Sequence, residues 1–521
     1  MKESRTKKAA RNMVFSIGDK LSDVILAFVL RSIFIKTLGV NYLGISGLFS
    51  SILNVLSMME LGVGSAIAFS LYRPLAEDDK GKVAALMHLY KRVYTSIGLF
   101  VCAIGFGLTP FLGRIINLPE NIDNLNIIYW LSVSNTAISY FLAYRRTLLN
   151  ADQKAYLCTR VDMFFRFIRC AGLMAILIFT HNYILYLAFD VLTTLLSNIV
   201  ITIQVKKQYP YLETVEIIPL EKSEKKTIIK YMSSTLFTKF GQTVVTSTDS
   251  IIISAFISTS LVGYYSNYNM IYSNLDVIMY LIFSNITASV GNYAVSNSGK
   301  RSHLLFKKIN ITNYMLVCMI SVSFFCLASP FVSLWVGKQF VLSELTVAVI
   351  ALNFYITSNQ NCVSNFMSAM GELYYKNRYR SLIEGVVNLI SSFLLVKYTS
   401  LGITGVFLGT TICFVSGRMW MDARVLYKYW FEMPFIGYIK QYILRFALFV
   451  ALCLTLKIIS VSFFKAVGIN LFSWLICACL CVSCCLIVFF ILWRKTEEFV
   501  YLKSLVQQVL KKLKRERQNE Y

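Results

Sequence analysis

Charge is what this sequence has least of. Asp, Glu, Lys and Arg make up 15% of its 521 residues, against about 25% in a soluble globular protein. Histidine occurs three times and proline seven. There is no Gly-x-x-x-x-Gly-Lys-Ser/Thr loop to cradle nucleotide phosphates and no His-Glu-x-x-His pair to hold zinc. ATP-driven transport within the chain is thereby excluded. No hydrophilic segment is long enough for a separate domain; the largest, about 206–227, reads as a connector. Acidic residues are few, 27 against 51 Lys and Arg, for a net charge of +24. In a soluble protein that excess would suggest nucleic acid, but no nucleic-acid-binding motif accompanies it. The basic residues fall between apolar stretches, where they act as membrane-topology signals. The tail from Lys511 to Arg517 suits anionic lipid head groups.

Apolar residues fill the space that charge leaves, at 56% of the chain. The thirteen cysteines sit almost entirely inside apolar segments. The run Cys477, Cys479, Cys481, Cys484 and Cys485 has no His, Asp or Glu on its helix, so it reads as packing cysteine. Nothing implies a disulfide framework. The basic start (Lys2, Arg5, Lys7, Lys8, Arg11) leads directly into an apolar stretch without a small-residue cleavage site, and reads as an uncleaved first span.

A spanning helix needs about 20 mostly apolar residues. The candidates are 12–36, 42–71, 91–112, 125–149, 160–180, 183–205, 228–256, 262–290, 311–336, 345–370, 380–399, 402–424, 441–463 and 469–493. Fourteen spans put both termini in the cytoplasm and concentrate Lys and Arg on one side. That side carries Arg73, Lys80 and Lys82, then Arg145, Arg146 and Lys154, then Lys206 and Lys207, and the later basic segments. The other side holds only Arg114, Lys338, Lys397, Lys457 and Lys465. His88 and His303 fall in cytoplasmic connectors on this reading, and His181 in an external one. The expected architecture is an all-α polytopic membrane protein. It has an N-lobe at 1–205, a cytoplasmic linker at 206–227, a C-lobe at 228–424, two further spans over 425–493 and a basic tail at 494–521.

The chain also repeats itself faintly. Leu43-Gly44-Ile45 matches Val262-Gly263-Tyr264 at a shift of 219, and the same shift carries Lys20 onto Lys239. Six spans per unit is an even number, so the halves share one orientation and are related by an axis along the membrane normal. Transporters built this way place the substrate between halves near the midplane.

Seven stretches carry a family resemblance. In the first half they are Arg31 with Leu38-Gly39-Val40-Asn41-Tyr42-Leu43-Gly44-Ile45, Glu60-Leu61-Gly62-Val63-Gly64-Ser65-Ala66-Ile67, and Leu71-Tyr72-Arg73-Pro74-Leu75-Ala76-Glu77. In the second they are Thr248-Asp249-Ser250-Ile251-Ile252-Ile253-Ser254, Val262-Gly263-Tyr264-Tyr265-Ser266-Asn267-Tyr268, Pro330-Phe331-Val332-Ser333-Leu334-Trp335-Val336-Gly337, and Gly402-Ile403-Thr404-Gly405-Val406-Phe407-Leu408-Gly409-Thr410. In this order they resemble the Wzx-type flippases of the polysaccharide-transporter branch, in the MOP superfamily that also contains the MATE drug exporters. The resemblance implies two six-helix lobes in a V around an alternating cavity. It implies export of an undecaprenyl-pyrophosphate-linked oligosaccharide across a bacterial cytoplasmic membrane for capsule, O-antigen or other surface polysaccharide. Membrane lipids, and a polysaccharide polymerase with other assembly proteins, are the partners it suggests.

Intramembrane charge names the candidate site. Lys20, Arg31, Arg166, Arg169 and Lys239 would together cost on the order of 12–17 kcal/mol if they faced lipid. They are expected to face one another, carboxylates or a wet cavity. Lys20 and Arg31 lie within about 20° on one helical face, about 16 Å apart. Lysine is a common phosphate-binding point charge and arginine adds bidentate recognition, so these five are the candidate pyrophosphate and sugar contacts. The acids Asp19, Asp23, Glu60, Asp162, Asp190, Asp249 and Asp276 nearly balance them. Asp162, Arg166 and Arg169 share one stripe, which equally fits internal ion pairing, as does Asp23 with Lys20. Glu60 and Asp249 fit either a coupling H⁺ or Na⁺ or pairing with Arg31. No other cofactor is implied. The competing functions are a MATE-like cation-coupled drug exporter, a membrane polysaccharide polymerase or ligase, and a scaffold. An enzyme would call for a large polar external loop, which is missing.

Overall fold

A computed structural model describes residues 5–60, 63–118, 122–215, 221–296, 299–370, 373, 377, 379–497, 499 and 500. Side chains are described throughout these except at 5–21, 59, 65, 222–223, 225, 227, 229–238, 284–289 and 291–296. Strands are absent among the described residues, and helix dominates. The order is α1 (Arg5–Leu56), α2 (Val63–Ala76), α3 (Lys80–Leu108), α4 (Leu112–Ile115), α5 (Leu125–Ala151), α6 (Ala155–Thr180), α7 (Tyr183–Gln208), α8 (Tyr211–Thr214) and α9 (Lys222–Phe256). There follow α10 (Thr259–Ser296), α11 (Gly299–Trp335), α12 (Glu344–Asn359), α13 (Asn361–Ala369), α14 (Arg380–Tyr398), α15 (Ile403–Cys413), α16 (Met421–Leu426), α17 (Ile436–Val467) and α18 (Leu471–Trp493).

Each of the fourteen expected spans falls on helix, and among the described residues eight helices are long and apolar enough to cross a bilayer. Large apolar side chains on their outer faces are bare, among them Leu444, Ile458, Phe472 and Ile491. Exposed apolar surface on this scale suits lipid and would be unstable in water. The chain is an all-α multi-pass membrane protein.

Several details depart from an even run of straight spans. The first two expected spans share α1, in which two helical stretches meet at Gly39, φ 83° and ψ −178°, inside the gap expected between them; that conformation is open almost only to glycine. A 3₁₀ turn over Ser57–Glu60 breaks the α-helix within the second expected span, whose last residues fall on α2. The twelfth span passes from α15 through a π-helical turn at Phe414–Arg418 into α16, and a second π turn follows at Tyr427–Phe431. His88 and His303 are not connector residues: His88 lies inside α3, and His303 is buried in α11 with its Nε2 3.1 Å from Tyr427 Oη. Apolar periodicity continues across both segments, so the helices begin earlier than the charge pattern suggested. Of the expected linker, 206–208 complete α7, α8 follows, and α9 starts at Lys222.

The chain divides into two compact units, Met1–Ser266 and Asn267–Tyr521. In the first, α3, α5 and α7 pack around Tyr90, Tyr94, Tyr144 and Leu148, while α9 lies against α1 and α2. In the second, α11 is the hub for α12, α17 and α18, and α14 packs on α15. There Ser392 and Gly409 meet so closely that a Cβ at Gly409 would overlap Ser392.

The repeat has a physical counterpart inside the first unit. Ser260 Oγ donates to Asn41 Oδ1 at 2.8 Å, and those positions differ by 219. A Cβ at Gly263 would lie 3.1 Å from the Gly44 nitrogen, and a Cβ at Gly47 would lie 3.9 Å from Ser266 Cβ, again at a shift of 219. Gly44 abuts Thr259 as Gly263 abuts Val40. Positions 41, 44 and 47 thus meet their own equivalents in register. That is the signature of a local two-fold axis running along the two helix segments, with glycines permitting the close approach.

Candidate functional site

The first unit holds a cavity of about 460 Å³ walled by α1, α5, α6 and α7. From α1 come Asp23, Ala27 and Leu30, one helical stripe at spacings of four and three. α5 contributes Arg146. α6 contributes Asp162, Arg166 and Arg169 on the stripe that the sequence indicated, and α7 contributes Thr193, Thr194, Ser197 and Asn198.

Three arginines and three aspartates meet here, and the pairing crosses between helices. Arg146 Nη1 donates to both oxygens of Asp162, at 2.8 and 2.9 Å, while its Nε donates to Asn198 Oδ1 and its Nη2 to Ser197 Oγ, each at 3.1 Å. A planar guanidinium is the group that can satisfy such a set at once. Arg169 pairs with Asp190, whose other oxygen accepts from Asn135 Nδ2 at 2.9 Å. Arg166 Nε stands 3.7 Å from Asp23 Oδ1, in ion-pair range but beyond a direct hydrogen bond between those atoms. The Arg169 side chain is half exposed while Asp190 is 9% exposed, so the acid is buried behind and the cation is presented.

The structure thus brings Asp23, Asp162, Arg166 and Arg169 together and sets the other candidates elsewhere. Arg31 lies beyond the cavity wall on α1, where Nη2 donates to the Ser266 carbonyl at 3.5 Å. Nearby, Phe34 packs edge-on against Tyr183 and Tyr186. Glu60 Oε1 accepts from Tyr94 Oη at 3.1 Å. Asp249 is buried in α9 and Lys239 is exposed on the same helix. Lys20 lies outside the described side chains, and with it the expected Lys20–Asp23 pairing.

Two sets of residues escaped the sequence reading. Arg146 counted as a connector cation beside Arg145, yet it lines the cavity and bonds Asp162, Ser197 and Asn198. In the second unit Glu384, fully buried, accepts from Arg380 and from Arg418 Nη2 at 3.1 Å, and Arg380 Nε also reaches Asp422 Oδ2 at 3.2 Å. The available signal was the Arg380–Glu384 spacing of four. This network reads as a fastening between α14 and the π turn that carries Arg418.

No family model matches the sequence, and no curated protein matches it. Among solved structures, the fold is similar to "Lipid II flippase MurJ, inward closed conformation", with TM-score 0.64 and 15% identity over 92% of this chain and 99% of that one. It is similar to an inward-facing multidrug resistance MATE family transporter of the MOP superfamily, with TM-score 0.61 and 14% identity over 78% and 96%. A third likeness is to a MOP superfamily transporter from Pyrococcus furiosus, with TM-score 0.53 and 16% identity over 78% and 94%. The chain has the fold of the MOP-superfamily transporters.

Proposed function

We propose that the chain is a flippase rather than an enzyme. It carries an undecaprenyl-pyrophosphate-linked oligosaccharide from the inner to the outer leaflet of a bacterial cytoplasmic membrane by alternating access, with both termini cytoplasmic. The product would feed the polymerase and assembly proteins of a surface polysaccharide. The observation that carries this reading is the cavity of the first unit: about 460 Å³ of space inside a membrane bundle, walled by Arg146, Arg166 and Arg169. Charges at such depth are costly unless they serve a wet pathway. The likeness to the MurJ structure, whose name gives lipid II as its substrate, supports the same class.

Roles divide by bonding. Arg146 and Asp162 hold α5 to α6 and set the wall. Arg166 and Arg169 meet the pyrophosphate, Asp23 and Asp190 holding them until substrate displaces the contact. Lys20, Lys239 and Arg31 extend the cationic path. Glu60, hydrogen-bonded to Tyr94, is the acid placed to exchange a coupling proton.

A MATE-like exporter of organic cations is the second reading, favoured by the aspartates in the same cavity. Reconstituted vesicles separate the two. An Arg166→Ala/Arg169→Ala variant that stays folded should lose transfer of a fluorescent polyprenyl-pyrophosphate sugar. Retained transfer would move the site toward Lys20 and Lys239, while cation-dye efflux without lipid transfer would give the cavity to the exporter.

A further inference from the structure

A second pocket, about 180 Å³, shares no lining residue with the arginine cavity. It lies in the first unit where α3 begins and where α5 and α7 end, the end that the basic segments assign to the cytoplasm. His88, Lys91, Arg145 and Lys206 line it, with Tyr209 and Glu213. Lys206 is neutralised by Glu213 at 2.7 Å. Lys91 and Arg145 make no ion pair with a carboxylate among the described residues. Arg145 is nevertheless held in place: its guanidinium lies 5.4 Å from the Tyr144 ring centroid and its Nε donates to Tyr144 Oη at 3.0 Å. Its terminal nitrogens make no other hydrogen bond among the described residues. Two cations converging on one recess repel each other, and an anion that sits between them removes the repulsion.

We propose that this pocket binds the phosphate head group of an anionic phospholipid. Three features select that ligand. The volume falls below the range that encloses drug-sized molecules, so it suits a small group and excludes an oligosaccharide. The net charge of Lys91, Arg145 and Lys206 against Glu213 is positive by two. Tyr144 and Tyr209 line the pocket beside its cations, the pairing of aromatic and basic side chains that suits the boundary between hydrocarbon and head groups, and basic pockets between helices on the cytoplasmic side are where acidic head groups bind. The pocket's floor is buried: Val205 is 1% and Tyr209 5% exposed. A head group there would bridge α3, α5 and α7 while its acyl chains stay in the bilayer.

The test uses the full-length protein in nanodiscs of phosphatidylcholine alone or with phosphatidylglycerol. Native mass spectrometry of the wild type should show phosphatidylglycerol retained over phosphatidylcholine, and thermal unfolding should shift upward with it. A Lys91→Gln/Arg145→Gln variant should bind phosphatidylglycerol about thirty-fold more weakly, the effect of removing two basic residues near an anionic surface. Lys207→Gln, a neighbouring charge outside the pocket, should bind as wild type does. Equal retention by the double variant, or an equal loss in Lys207→Gln, would overturn the assignment. So would a matching shift from inorganic phosphate in phosphatidylcholine discs, which would make the pocket a free-anion site. Should the double variant fail to fold, absence of preferential retention by the wild type overturns the assignment alone.

Discussion

Arg146, Arg166 and Arg169 are the same residue type in one cavity, and their surroundings separate them. Asp162, Ser197 and Asn198 hold Arg146, buried Asp190 holds Arg169, and Arg166 stands in ion-pair range of Asp23. The same reasoning applies to Glu384, whose carboxylate receives two guanidinium groups with no exposure. Glu384→Ala should cost about 3–5 kcal/mol, because it takes the paired carboxylate from largely buried Arg418 and removes one from buried Arg380, which keeps Asp422. The expected outcome is loss of folded protein on size exclusion, whereas Arg418→Leu should be milder. A second residue-scale prediction concerns Asp152, between α5 and α6. Burial alone would raise its pKa, but Lys154 at 2.7 Å and the Tyr209 hydroxyl at 2.5 Å outweigh it and hold the carboxyl below its ordinary value. A lowered folded-state pKa gives stability that is present above about pH 4 and fades as pH falls further. In thermal unfolding, the gap between wild type and Asp152→Asn should therefore be constant near neutrality and close below about pH 4.

At the scale of elements, two glycines of α1 differ in why they are glycine. Gly39 has positive φ and open space where a Cβ would go, so Gly39→Ala should cost only backbone strain, about 1–3 kcal/mol. Gly44 is helical, and a Cβ there would overlap the Thr259 carbonyl. Gly44→Leu must push α1 from α10 or fail. The expected result is a stability loss at least as large, with cysteines at Asn41 and Ser260 no longer cross-linking in that background. Retained cross-linking at the wild-type rate would contradict the in-register contact. Spans were legible because about 20 apolar residues and flanking Lys and Arg leave a strong mark. The break at Gly39 falls in the gap left between the first two spans, but the 3₁₀ turn before α2 and the π turns near Arg418 were not legible, because each keeps nearly the helical period of apolar residues. The partners of Asp162 were illegible for a related reason: stripe spacing predicts neighbours on one helix, and the guanidinium that won comes from α5 with two α7 acceptors already in place.

For the whole molecule, the proposed flippase reading has the membrane potential or an ion gradient drive transfer. With the cytoplasm negative, a two-charge pyrophosphate moving outward gains about 4–5 kcal/mol per 100 mV. Collapsing the potential with valinomycin and potassium should slow outward transfer in vesicles. An unchanged rate would assign the work to an ion exchanged at Glu60. Fold class was readable at this scale from composition and topology signals alone, while the cavity was not, since it needs α1 to pack beside the consecutive helices α5, α6 and α7, a contact that no local pattern records.

The most direct test of the central claim is leaflet transfer by the wild type alone. The purified chain is placed in vesicles with a fluorescent polyprenyl-pyrophosphate-linked sugar, and the label exposed outside is followed with an impermeant quencher. Transfer that depends on the protein and exceeds that in empty vesicles is the predicted result. No transfer above empty vesicles, in a preparation that effluxes a cationic dye, would contradict the flippase.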